Sequence, residues 1–206
     1  MALKTFIKVS NISNLSDARY CAGMGVEMLG FAVEQDAEHY VMPQAYQEMI
    51  GWLSGVEFVA EFTHSNLEQI NEILEQYPAH AFQTENEAVL EKILHNKQSQ
   101  DIETLPIKIL FRTPKIDILR KVAEKYASIV NFFILADANQ HHIQEIKSLT
   151  DKYAILLEHI NDLTDAELLL QNTNIKGFVL SGSKEIAPGL KDFDNLAVFL
   201  EGLETE

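Results

Sequence analysis

Cysteine is nearly missing from this chain: Cys21 stands alone, so no internal disulfide can brace the fold. Basic residues are scarce as well, with 16 Lys and Arg against 31 Asp and Glu and a net charge of −15. A surface so acidic repels phosphate backbones, which sets nucleic acid and anionic membranes aside as partners. Acidity of this kind also serves solubility alone. Long apolar runs are lacking too. Although 47% of the residues are hydrophobic, no stretch approaches the roughly 18 consecutive apolar residues of a membrane-spanning helix. The opening MALKTFIKVS has no apolar run followed by a small-residue cleavage site, so a cytoplasmic location is expected. Linkers, low-complexity stretches and short-period repeats are absent, and 206 residues suit one domain with a continuous core.

What is present is an unbroken alternation. Short apolar runs at 5–10, 28–33, 56–62, 79–83, 106–111, 131–135, 154–157 and 177–180 read as strands. Between and after them, helix-period segments fall at 16–24, from Pro43 onward, and at 67–76, 87–95, 116–126, 143–152, 162–171 and 193–203. Pro43 suits a first helical turn, and Asn66 suits an N-cap. Near-continuous apolar strands such as 107–111 are typical of parallel sheets covered on both faces. Eight alternations in one chain imply a single (β/α)8 TIM barrel of the α/β class spanning 1–206. An open doubly wound sheet is the alternative.

Two segments resemble the phosphoribosylanthranilate isomerase family. Lys8-Val9-Ser10-Asn11-Ile12-Ser13-Asn14-Leu15-Ser16-Asp17-Ala18, continuing to Gly25 and Leu29-Gly30-Phe31, is similar to the family's KICGITnleDA and LGF. The stretch from Ser181-Gly182-Ser183-Lys184 through Pro188-Gly189 to Lys191-Asp192 is similar to its SSGVE-x-x-PG-x-KD ending. Between them, Tyr40-Val41-Met42-Pro43 resembles RYVSP, Gln83 falls at the glutamine of VQLHG, and Lys108 at a strand-five lysine. The resemblance implies an Amadori rearrangement of an aminoaldose phosphate, with a strand-one cysteine as base and a strand-six aspartate as acid.

The departures fall on those working parts. Ser10 stands at the base position and Asn11 at the glycine beside it. A hydroxyl is a far weaker base than a thiolate unless another base assists it. Cys21 lies on the apolar face of the first helix and offers no substitute. The acid falls on Ala136, or on Asp137 after a shift of one residue; Asp137 also reads as a solvated or capping aspartate. Residues 138–142 are too few for the family's phosphate loop after strand six, and Glu158-His159 replace its glycine pair after strand seven. His39 replaces the arginine of RYVSP, and Val179 an aspartate before the SSG motif.

The residues expected at the barrel mouth are Ser10, Asn11, Glu61, His64, Glu85, Arg112, Asp137, Glu158, His159, Ser181 and Ser183. Ser10 and Asp137 are the candidate catalytic pair. Asn11, His39, Gln83, Arg112, His159, Ser181, Gly182 and Ser183 are the candidate ligand contacts, and Ser181 to Lys184 the candidate anion nest. No HxH or HExxH spacing supports a metal, and no cofactor is expected. His141-His142 read as an exposed pair at a helix start; Met24, Met28, Trp52 and Phe132-Phe133 read as core packing. Two functions remain open: an active isomerase with altered residues, or a silent or repurposed barrel. The repurposed barrel would bind a small phosphorylated ligand or a partner protein, as a monomer or homodimer.

Overall fold

The computed structural model describes residues 2–99, 107–137, 143–160, 162–182, 184–187, 190–192 and 194–205, with backbone alone for 184–187, 190–192, 194 and 195. Strand and helix alternate as β1 (Phe6–Ser10), α1 (Leu15–Gly23), β2 (Met28–Ala32), α2 (Pro43–Ile50), β3 (Glu57–Glu61), α3 (Leu67–Leu74), β4 (Ala81–Thr84) and α4 (Glu87–Ser99). The second half continues with β5 (Lys108–Thr113), α5 (Ile116–Tyr126), β6 (Phe132–Leu135), α6 (Ile143–Thr150), β7 (Ile155–Glu158), α7 (Leu163–Asn172) and β8 (Gly177–Ser181). Each strand pairs in parallel with the next, and β8 returns to β1, with Phe6 opposite Gly177 and Ser10 opposite Ser181. The sheet is a closed eight-stranded barrel, not the open alternative.

Local chemistry explains the elements. The Asn66 side chain accepts from the Gln69 amide while the Gln69 side chain accepts from the Asn66 amide, a reciprocal cap that starts α3. On α5 the buried residues Ile116, Leu119, Val122, Ala123 and Tyr126 recur at helical spacing and face the sheet. Every residue of β2 is buried, as a doubly covered strand requires. Met28, Val59, Ala81, Leu110, Ile134, Leu156 and Val179 fill the lower barrel, closed below by the stacked rings of Phe6 and Phe132 at 5.0 Å.

Two sequence expectations change. An antiparallel hairpin, β9 (Lys184–Ala187) and β10 (Leu190–Asp192), follows β8 before α8 (Asp194–Gly202). Its strands, Lys-Glu-Ile-Ala and Leu-Lys-Asp, are short and carry too many charges to form the apolar run by which the other strands are read. Trp52, read as core, is 73% exposed, because it follows Gly51 in the turn that leaves α2. Met28 and Phe133 are buried as expected. Residues 138–142 with His141-His142, Ser183, and Pro188-Gly189 lie outside the described residues.

Candidate functional site

The C-terminal ends of the strands surround a cavity of about 310 Å3, lined by Ser10, Asn11, Ala32, Ala37, Glu38, His39, Glu61, Phe62, Thr63, Gln83, Glu85, Arg112 and Glu158. Its floor is built on β1. Strand alternation puts Lys8 and Ser10 on the same, inward face. Lys8 is rooted in the apolar layer, in register with Met28 and Val179, and is fully buried. Its ammonium reaches upward and donates to Ser10 Oγ at 2.5 Å and to Glu61 Oε1. The Asn11 amide donates to the other Glu61 oxygen at 3.3 Å. Gly30 makes this pair possible, since a Cβ there would lie 2.1 Å from Glu61 Oε1 and 2.9 Å from Lys8 Nζ. The LGF glycine is therefore a packing requirement of the ion pair.

This arrangement fixes the role of Ser10. Its oxygen accepts from Lys8, so its own O–H is left to donate. A hydroxyl polarised by an ammonium is a donor or a stabiliser of negative charge, not a base. Cys21 is fully buried, and burial with the nearby Asp17 pushes its thiol up to about 12, so it is inert as a nucleophile.

The opposite wall is a three-way ion knot. Arg112 Nε and Nη2 donate to the two Glu158 oxygens at 2.6 and 3.2 Å, and Nη1 donates to Glu85 Oε1 at 2.6 Å. Burial alone would lower the guanidinium's pKa, but the two carboxylates outweigh it and hold the pKa above its ordinary value. Arg112, expected as a ligand contact, does line the cavity; both forks of its guanidinium are already engaged by the protein's own carboxylates.

The other expected residues divide. Asn11, His39 and Gln83 line the cavity. Asp137 is exposed just beyond β6 and Ser181 at the end of β8, and neither lines it; Ser181 Oγ accepts from the Asn11 side chain at 3.1 Å. The Gly182 amide, expected in an anion nest, donates to the Ser10 carbonyl at 2.7 Å. A Cβ at Gly182 would lie 3.0 Å from Asn11 O, which explains the glycine. His159 is exposed, and its Nδ1 donates to Ala136 O at 2.6 Å. His64 is also exposed and does not line the cavity. Lys108 sits at the opposite end of the barrel on Glu57, at 2.6 and 2.7 Å.

Two side chains escaped the sequence reading. Lys8 was visible only as part of a motif, although its spacing of two from Ser10 on a strand is a signal that it points inward. Glu34 is buried and accepts from the amides of Thr63, His64 and Ser65 and from the Ser65 hydroxyl, at 2.6 to 3.1 Å, which fixes the loop carrying Thr63 into the cavity wall. No local pattern announces such a clamp across 30 residues.

No family model matches this chain, and no curated protein sequence matches it. Solved structures do. Phosphoribosylanthranilate isomerase from Thermotoga maritima is 18% identical with a TM-score of 0.75, covering 97% of this chain and 98% of that one. The Thermus thermophilus enzyme is 18% identical with a TM-score of 0.74, covering 96% and 98%. A phosphoribosylanthranilate isomerase solved with reduced 1-(o-carboxyphenylamino)-1-deoxyribulose 5-phosphate is 19% identical with a TM-score of 0.73, covering 97% and 98%. The fold is that of phosphoribosylanthranilate isomerase. At these identities the likeness is one of fold. Among the described residues, Asn11 (φ 59°) and His159 (φ 57°) are the non-glycine residues with positive φ. They fall where the resemblance places glycines, residues that adopt this left-handed conformation without steric cost.

Proposed function

We propose that this chain is a divergent barrel of the phosphoribosylanthranilate isomerase type that keeps the mouth cavity as a small-molecule binding site and has lost the isomerase chemistry. The observation that carries this reading is the commitment of the mouth's cations: Arg112 is held by Glu85 and Glu158, and Lys8 by Glu61. Among the described residues, the arginine that lines the cavity and the lysine under its floor both already hold carboxylates, so neither is left for the phosphate and carboxylate that the isomerase substrate carries. Ser10 adds to the case, since it accepts from Lys8 where the reaction needs a base. General base and acid contributions are each worth roughly 10²–10⁴-fold, and loss of the substrate clamp removes positioning as well.

The test is turnover of phosphoribosylanthranilate by the wild-type protein beside a Ser10→Cys, Glu158→Gly, His159→Gly variant, with growth of a tryptophan-requiring strain lacking the isomerase as the cellular readout. The wild type is expected to show no turnover and no rescue. In the variant, removal of Glu158 also releases one fork of Arg112, so any activity should appear there alone. Robust wild-type turnover overturns the proposal and restores the reading of an active isomerase rebuilt around other residues.

A further inference from the structure

The cavity's walls describe what would fill it. Gln83 is 6% exposed, lines the cavity, and its carbonyl oxygen has no hydrogen-bond partner. A buried amide oxygen left unpaired costs free energy, so it calls for a donor. A half-turn about the last side-chain torsion presents either end of the same carboxamide. Glu85 follows two residues later on the same inward face; Arg112 uses its Oε1, and no described residue donates to Oε2. Four carboxylates (Glu38, Glu61, Glu85 and Glu158) surround the space, against Arg112 in the wall and Lys8 beneath the floor, an excess of two negative charges. The Ser10 O–H points the other way in chemical sense, offering a donor to a ligand oxygen. Apolar lining is confined to Ala32, Ala37 and Phe62, which leaves little for a flat aromatic ring to rest on.

Resting on the binding reading above, we propose that the cavity takes a small polyhydroxylated amine, bound as its ammonium, and rejects phosphorylated ligands. The ammonium meets Gln83 and Glu85, and the ligand's hydroxyls meet Ser10 and the remaining carboxylate oxygens. A phosphate in the same space would meet uncompensated carboxylates, with both resident cations already paired. A volume of about 310 Å3 is at the small end for ligand sites and suits a single sugar ring.

Calorimetric titration of the whole chain with D-glucosamine, D-glucose and D-glucosamine 6-phosphate tests this at low and high salt. D-Glucosamine is expected to bind about tenfold more tightly than D-glucose, as for a charge-assisted hydrogen bond. The preference should shrink as salt rises, and the 6-phosphate should bind more weakly than the parent amine. Gln83→Met should weaken glucosamine binding while Gln83→Glu strengthens it, opposite directions that a general loss of folding cannot produce. Tighter binding of the 6-phosphate, equal binding of amine and neutral sugar, or no glucosamine binding overturns the ligand class. The binding-barrel reading then stands or falls separately, on whether the wild type turns over phosphoribosylanthranilate.

Discussion

At the N-terminal end of the barrel, Lys108 meets Glu57 in water; at the C-terminal end, Lys8 meets Glu61 out of it. The first pair is 44% and 37% exposed, the second 0% and 9%. The chemistry is the same and the consequence opposite. Exposed pairs gain little because water screens them and their long side chains lose freedom. A buried pair must stay whole, since loss of one partner strands a charge where water cannot reach it. The mouth's two cations, Lys8 and Arg112, are therefore part of the structure, each held by the protein's own carboxylates. Arg112 stands between the two cases, 23% exposed and shared by two carboxylates.

The largest effect should come from Lys8→Met. It leaves Glu61 without its cation beneath the cavity floor and removes the donor to Ser10. Breaking one side of such a pair costs about 3–5 kcal/mol, readable as a fall in the urea midpoint. Replacing both partners together, Lys8→Met with Glu61→Leu, should recover most of that loss, because no lone charge remains. If Lys8→Met is as mild as Lys108→Met, the contrast between the two ends is broken.

A second contrast sets Glu34 near the mouth against Glu27 at the base. Burial pushes the Glu34 carboxyl up, but the Ser65 hydroxyl and the amides of Thr63, Ser65 and His64 outweigh it, and the net shift is downward. Burial pushes Glu27 up, and its bond from the Ile7 amide at 2.8 Å does not offset that. An ordinary glutamate titrates near about 4.3. With its folded value depressed, Glu34 contributes stability that is complete above the unfolded value and lost as pH falls through the folded one. Glu27 runs the other way: its folded form takes the proton first, so acidification removes a cost before the unfolded value is reached. Glu34→Gln should cost about 1.5–3 kcal/mol at neutral pH, as for hydrogen bonds to a charged group, and should flatten the acid decline in Tm. Glu27→Gln should steepen that decline. Parallel acid limbs in wild type and both variants would contradict the assignment.

The sequence carried the barrel well because strand and helix periods are local signals. β5 and α5 can be read from the run Lys108–Thr113 and the spacing of Ile116, Leu119 and Val122. The β9–β10 hairpin was missed because its short strands are charge-rich and form no apolar run, and Trp52 because hydrophobicity alone does not say which side of a turn a residue takes. At the site, Ser10, Asn11, Glu61, Glu85, Arg112 and Glu158 were legible from their places at strand ends, and His39 and Gln83 through the resemblance alone; all line the cavity. The pairs they form were not. That Lys8 reaches Ser10 follows from alternation along one strand, but that it also reaches Glu61 depends on β3 lying across Gly30, which is a fact of closure. The Arg112 knot likewise joins β5 to β7 and to the residue just past β4, positions 46 and 27 residues apart in sequence.

The smallest effect, and the sharpest control, is expected at Lys108 and Glu57. Their contact is geometrically good, with one ammonium on both carboxylate oxygens at 2.6 and 2.7 Å. Geometry does not decide its worth, because both side chains are more than a third exposed and water competes for each. A double-mutant cycle with Lys108→Ala and Glu57→Ala should give a coupling of about 0.2–1 kcal/mol, declining further as salt is raised. The same cycle on Lys8 and Glu61 should give several times that coupling with little response to salt, since buried pairs are screened far less. A coupling at Lys108–Glu57 equal to the buried one would mean that the base of the barrel excludes water as the mouth does. The two ends would then differ in which residues they carry and not in how solvent treats them.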